Sequence, residues 1–211
     1  MSRILVVGGT GYAGGNITQE AAARGHNVTV VSRHAPTDPV DGVTYVEGDA
    51  VATAVPLMAR FDVVVAALSP RGDNAGTLVE VYRTLADAAS AAGARFIAIG
   101  GFGSLRPAVD APRFAEGEMP PEYAAESREM NAVYQDLASG DQAADWLFVS
   151  PASEFGSFNP GTKEGHYRIS GEVALFDADG VSAISGADFG AAVMDEIEHP
   201  AHHREHIGFA Y

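Results

Sequence analysis

A doubly wound α/β fold, one parallel sheet with helices on both faces, is what this sequence predicts, and three observations predict it. Short runs rich in β-branched residues are apolar at successive positions, which suits strands covered on both sides. Segments with apolar residues at helical spacing alternate with those runs. Glycines close the helical segments just before the next strand. Right-handed crossovers then wind residues 1–150 into a single sheet.

The strands are expected at Ile4–Val7, Val28–Val31, Val43–Val46, Val63–Leu68, Phe96–Ile99 and Trp146–Val149. Between the first two, Gly14 to Arg24 carries Ile17 and Ala21 four residues apart and stops at Gly25, which completes one β-α-β unit. From Thr77 to Ala92 the residues Leu78, Val81, Tyr82, Leu85, Ala88 and Ala89 share a helical face that ends at Gly93. Met130, Val133, Tyr134 and Leu137 repeat the pattern before Gly140. Gly101 to Pro121 is rich in Gly, Pro and charge and exceeds an ordinary connection of roughly 4–6 residues, so it is expected to lie as a loop over the site.

Beyond Pro151, His166–Ile169 and Val173–Phe176 are expected as further strands. Ser185-Gly186-Ala187-Asp188 has capping-box spacing, with Asp for the usual Glu or Gln, ahead of a helix carrying Phe189, Val193 and Ile197. The chain thus reads as one domain, 1–211, with a cofactor-binding core at 1–150 and a small C-terminal extension at 151–211 on the substrate side.

Composition narrows the class. Thirteen basic residues stand against 28 acidic ones, a net charge of −15 that repels phosphate backbones and anionic lipid, so neither nucleic acid nor membrane is an expected partner. The absence of cysteine excludes disulfides, thiolate chemistry and cysteine-ligated metals. MSRILVVGGT offers an apolar run too short for a signal-peptide core, and no stretch approaches the ~20 apolar residues of a membrane span. A cytoplasmic protein acting on a small molecule is expected, with its oligomeric state open.

Gly8-Gly9-Thr10-Gly11-Tyr12-Ala13-Gly14 follows the first strand directly and opens the first helix. In such a loop Gly8 permits a tight turn, Gly11 lets the backbone approach a pyrophosphate, and Gly14 lets the helix pack on the sheet. The helix N-terminus then offers free N–H groups to phosphate. Strand before and helix after make this a dinucleotide site of Rossmann type, with Thr10, Tyr12 and Ala13 in its cradle. The second strand ends in Ser32-Arg33, about twenty residues on, where an acidic residue would serve the ribose of NAD. A guanidinium suits a 2′-phosphate instead, which favours NADP(H) over NAD(H); the alternative is a turn arginine paired with Asp38 or Asp41. Asp49 and Ala50 follow the third strand, where the carboxylate either meets the adenine or caps a helix. Ala66, Ala67 and Leu68 end the fourth strand beside the switch point, small enough for a cofactor to rest on.

These residues, with GGFGSL at 100–105, Trp146-Leu-Phe-Val-Ser-Pro-Ala, Gly165-His-Tyr-Arg-Ile-Ser-Gly and Phe176-Asp-Ala-Asp-Gly-Val-Ser-Ala-Ile-Ser, resemble the NmrA-like and NADH-flavin-reductase type of atypical short-chain dehydrogenase/reductase over nearly the whole chain. The resemblance adds Gly100 and Gly101 to the cofactor contacts and sets Ser104 at the position of the superfamily's catalytic serine. It also implies an NAD(P)H-dependent oxidoreductase. The sequence departs from the superfamily in lacking any Tyr-x-x-x-Lys pair: four residues before Lys163, the only lysine, stands Asn159. Without that proton-handling pair, hydride delivery to a flavin or quinone is favoured over carbonyl reduction, because the acceptor delocalises its own charge. Phe102, Phe155, Phe158 and Tyr167 are the aromatic residues expected beside such an acceptor. Two other readings are a non-catalytic redox sensor of NmrA type and an epimerase or dehydratase, the latter disfavoured by the same missing pair.

Two further constellations are read as structural. His199, His202, His203 and His206 are interrupted by Pro200 and are expected as a solvated polar tail, although 202 and 206 would share a helical face. Asp177 and Asp179 lack the rest of a calcium loop, and Asp179-Gly180 is expected as a hairpin turn. No metal site is expected.

Overall fold

A computed structural model describes residues 1–140 and 144–211. Its strands are β1 (Arg3–Val7), β2 (Asn27–Ser32), β3 (Thr44–Glu47), β4 (Val63–Ala66), β5 (Arg95–Ile99), β6 (Trp146–Ser150), β7 (Arg168–Ser170) and β8 (Glu205–Ala210). The helices are α1 (Tyr12–Ala23), α2 (Ala50–Ala54), α3 (Leu78–Ala91), α4 (Pro121–Ala138) and α5 (Gly186–Glu198). The strands form one sheet in the order β3-β2-β1-β4-β5-β6-β8-β7, parallel throughout except for β7, which runs antiparallel to β8. The chain leaves β1 toward β2 and β3, then returns past β1 to β4. The carboxyl ends of β1 and β4 therefore flank the switch point of a doubly wound Rossmann-like sheet.

Alternation along each central strand divides the core. Ile4, Val6, Val65, Ile97, Val149 and Ile207 face a layer built with α1 and α5. Leu5, Val7, Val64, Phe96 and Phe148 face the layer of α3 and α4. Each of these side chains is at most 4% exposed, and burial of this kind contributes about 1.5–3 kcal/mol per large side chain. The runs are apolar throughout because both faces are covered. Among the described residues no helix is long and apolar enough to cross a membrane.

The C-terminal part differs from expectation in three places. Val173–Phe176 is not a strand: only Val173 bridges, to Arg106, and Pro107 after Arg106 has no N–H with which to continue a ladder. Asp177–Val181 does form a tight turn, with Asp177 Oδ1 accepting from the N–H groups of Asp179 and Val181, but no strands flank it. The histidine segment is not a solvated tail. Glu205–Ala210 is β8, inserted between β6 and β7, and His206 is buried at 4% exposure. Ile207, Phe209 and Ala210 drive that insertion because their burial completes the α5 face of the core.

The long connection after β5 also behaves differently. Only its first turn, Phe102–Ser104, stays at the carboxyl end of the sheet. The remainder wraps down beside α4, where buried Arg113 reaches His206 on β8 and Glu172 after β7.

Candidate nucleotide-binding site

β1 runs into Gly8, whose φ of +87° suits a residue without Cβ. A Cβ there would stand 2.5 Å from the carbonyl oxygen of Ala67, and one at Gly14 would stand 2.4 Å from that of Gly8. Gly8 thus closes the turn against the residue after β4, and Gly14 seats α1 on the turn. Gly11 is different. A Cβ there would meet only the Gly8 carbonyl oxygen, at 3.4 Å, and both Thr10 and Gly11 are exposed. The fold therefore hardly requires glycine at 11, while a ligand approaching from solvent would meet bare backbone.

Gly11 is the N-cap of α1, which has no side-chain cap and no acidic residue in its first turn. The first-turn N–H groups, from Tyr12, Ala13 and Gly14, thus face the switch point with partial positive charge that no carboxylate offsets. An anion of diphosphate type fits this cradle. Tyr12 is held aside, its hydroxyl donating to the Pro160 carbonyl at 3.2 Å and its ring set edge-on to Phe155 at 5.0 Å.

Ser32 is buried at the end of β2, and its hydroxyl donates to the His34 carbonyl at 2.8 Å. The Arg33 side chain next to it is half exposed, and its ion-pair partner is Asp73 at 3.3 Å rather than Asp38 or Asp41. Asp49 realises the capping alternative: one oxygen accepts from Val51 and Ala52 N–H, each at 2.9 Å, ahead of Ala50 in α2. Those backbone bonds, to Ala52 and then Val51, hold its carboxyl below the usual range.

Ala66 ends β4, Ala67 donates to the Val7 carbonyl, and Leu68 donates to the hydroxyl of Tyr82 at 3.1 Å. Tyr82 went unnoticed in the sequence beyond its place on a helical face. Its buried hydroxyl also lies 3.2 Å from the Ala66 carbonyl and 3.3 Å from that of Ile99, so one phenol from α3 fastens the carboxyl ends of β4 and β5. Burial raises its pKa and keeps it protonated. A buried tyrosine needs partners for its hydroxyl, and that was the available signal.

Gly100 donates to the Val149 carbonyl, and Gly101 accepts from Ser150 Oγ at 2.9 Å. Ser104 follows on the same turn with 0% exposure, and its Oγ has no hydrogen-bond partner among the described residues. A hydroxyl without exposed surface cannot touch a substrate in this conformation. Phe102 stacks on Phe114 with ring centres 4.7 Å apart. Phe155 sits between Tyr12 and Phe189, and Phe158 is 77% exposed two residues before Pro160. Of these rings, Phe155 borders the glycine loop through its contact with Tyr12.

Tyr167 does not. It precedes β7 at the sheet edge, five strand positions and about 24 Å from β1. Its ring packs edge-on to Phe209, and its hydroxyl donates to Asp195 at 2.6 Å, the carboxylate that also pairs with Arg24 at the far end of α1. An aromatic at helix-facing depth reads the same in sequence whether it lines a cleft or a core.

Behind the carboxyl ends of β5 and β6 lies a buried polar chain that sequence reasoning missed. Arg113 Nη1 donates to the Ser104 carbonyl and to His206 Nδ1 at 3.2 Å, and His206 Nε2 lies 2.8 Å from Ser150 Oγ. Burial and then Arg113 push the His206 pKa down to about 3. A neutral ring that accepts at Nδ1 must donate from Nε2, so Ser150 in turn donates to Gly101. Arg113 also donates to Glu172 at 2.6 Å, and Tyr134 donates to the same oxygen at 2.5 Å. Burial opposes ionisation of Glu172, but these bonds and the one from Arg106 hold its carboxyl at about 2.

Comparison with known proteins agrees with this geometry. The pattern of a family described as NAD(P)H-binding matches residues 8–200. The protein YwnB of Bacillus subtilis (strain 168) is 32% identical, over 96% of this chain and 95% of its own. A solved structure from Streptococcus pneumoniae TIGR4, described as a "putative NADH-flavin reductase", superposes with a TM-score of 0.90 at 26% identity, over 100% of this chain and 99% of that one. Another from Bacteroides thetaiotaomicron, described as a "putative epimerase", gives 0.87 at 31% identity, over 99% and 96%.

Proposed function

The chain belongs to the NAD(P)H-binding family, and on that premise we propose that it is an NADPH-dependent oxidoreductase delivering hydride to a flavin or quinone-like acceptor. The observation that carries this reading is the uncapped N-terminus of α1, opened toward the switch point by Gly8 and Gly14. The backbone N–H groups there hold the diphosphate, with the Thr10 hydroxyl beside them. Arg33 grips the 2′-phosphate, and no carboxylate stands at positions 32–34 to repel it. Ala66, Ala67, Leu68, Gly100 and Gly101 form the floor, and Phe102, Phe155 and Phe158 border the acceptor. Bound NADPH supplies the hydride, and the chain's own part is to hold and orient the two reactants, which suits a site without a Tyr-Lys pair.

The zero exposure of Ser104 favours a second reading, a sensor that binds the dinucleotide and turns nothing over. An epimerase reading lacks the proton donors that such chemistry needs. Steady-state oxidation of NADPH with FMN, riboflavin or a quinone separates the readings. Saturable turnover rejects the sensor; tight nucleotide binding with every acceptor inert rejects the oxidoreductase.

A further inference from the structure

The loop between β4 and α3 is fastened along both limbs to α4. Arg71 Nε donates to Glu126 at 2.8 Å, and the N–H groups of Gly76 and Leu78 donate to the two carboxylate oxygens of Glu129 at 2.8 and 2.9 Å. Glu129 thereby caps α3, whose own N-cap Thr77 gives the helix no side-chain cap. Asn74 closes the loop internally on the Ser69 carbonyl, and Thr77 Oγ1 donates to the Asn74 carbonyl. The apex is the short turn Gly72–Asn74, and from it Asp73 reaches Arg33.

That contact has a topological meaning. Arg33 follows β2 and the loop follows β4, while β1 lies between them. Two strand spacings, about 10 Å, separate the ends of β2 and β4. The ion pair is therefore made across the carboxyl end of β1, above Gly8, where the dinucleotide cradle opens. Asp73 is 97% exposed and the Arg33 side chain 50%, so the pair is solvated and easily exchanged. A 2′-phosphate carries more charge than one carboxylate and offers three acceptor oxygens to the guanidinium fork.

We propose that Asp73 is a specificity-determining residue: in the free protein it holds the Arg33 guanidinium over the cradle, and it surrenders that cation to the 2′-phosphate when NADPH enters. The proposal rests on the NADPH reading above. A nucleotide without the phosphate leaves Arg33 with Asp73. The acidic apex thus lowers NADPH affinity by competition and leaves NADH affinity untouched.

Calorimetric titration of NADPH and NADH into the wild type, Asp73→Asn, Arg33→Ala and the double variant tests this. Asp73→Asn is expected to tighten NADPH about two- to fivefold, the span of an exposed ion pair, and to leave NADH unchanged. The gain should shrink at high salt and vanish in the Arg33→Ala background. Unchanged or weakened NADPH binding in Asp73→Asn overturns the proposal, as does an equal shift for both nucleotides or a gain that persists without Arg33. A wild type that binds neither nucleotide overturns the functional reading itself, and this proposal with it.

Discussion

Ser150 Oγ and His206 Nε2 lie 2.8 Å apart, the middle link of a buried chain running from Arg113 to the Gly101 carbonyl. Its direction requires a neutral imidazole. In the unfolded chain His206 titrates near its ordinary 6.5, but in the fold it titrates at about 3. Between these values the unfolded state binds the extra proton, so stability rises with pH across that window and falls on acidification. The unfolding free energy should drop by at most about 1.4 kcal/mol per pH unit below pH 6.5 from this group. His206→Gln should flatten the slope measured by urea denaturation between pH 6.5 and 4.5; an unaltered slope would rule out a neutral His206.

Tyr82→Phe removes the hydroxyl that serves Leu68, Ala66 and Ile99 while keeping the ring. The buried backbone groups lose a partner, and chemical denaturation should show a loss of about 1–3 kcal/mol. A variant as stable as wild type would mean that water or the backbone replaces the phenol.

The glycines of the first loop should separate by role. Gly14→Ala drives a methyl against the Gly8 carbonyl and should lower stability by about 1–3 kcal/mol. Gly11→Ala meets only an oxygen at 3.4 Å, so its melting temperature should stay near wild type while nucleotide affinity falls about tenfold or more. Equal affinity in Gly11→Ala would show that no ligand backbone contact occurs there.

Arg33→Ala should weaken NADPH about ten- to a hundredfold, the scale of hydrogen bonds to a charged group, and NADH far less. Equal losses for the two nucleotides would show that the residue does not read the phosphate.

Ser104→Ala replaces a buried hydroxyl that has no partner among the described residues, so stability should hold or rise slightly. Turnover with a flavin acceptor, once established, should be unchanged. A collapse of turnover with stability intact would return Ser104 to a catalytic role.

The sheet and the glycine loop were legible because their causes are local. Val63 to Val65 and Ile97 announce two-sided burial in their own residue types, and Gly8 and Gly14 sit where strand and helix directly require them. The strand at Glu205–Ala210 was obscured because four nearby histidines suggested solvent, although Ile207 and Phe209 carried the apolar signal. Asp73, Tyr82 and Arg113 acquire their meaning from partners 14 to 93 positions away in sequence, and no periodicity reports such distances. Tyr167 failed for the same reason: its partner Asp195 is 28 residues on.

The placement of β8 between β6 and β7 sets an order on biosynthesis. The five strands from β3 to β5 can assemble while the chain is still emerging from the ribosome. β7 has no neighbour to pair with until residues 208–210 are free, so it waits on segments made some forty residues later. A transcript truncated by a few codons would strand two elements at once and expose the flank of β6 to other chains.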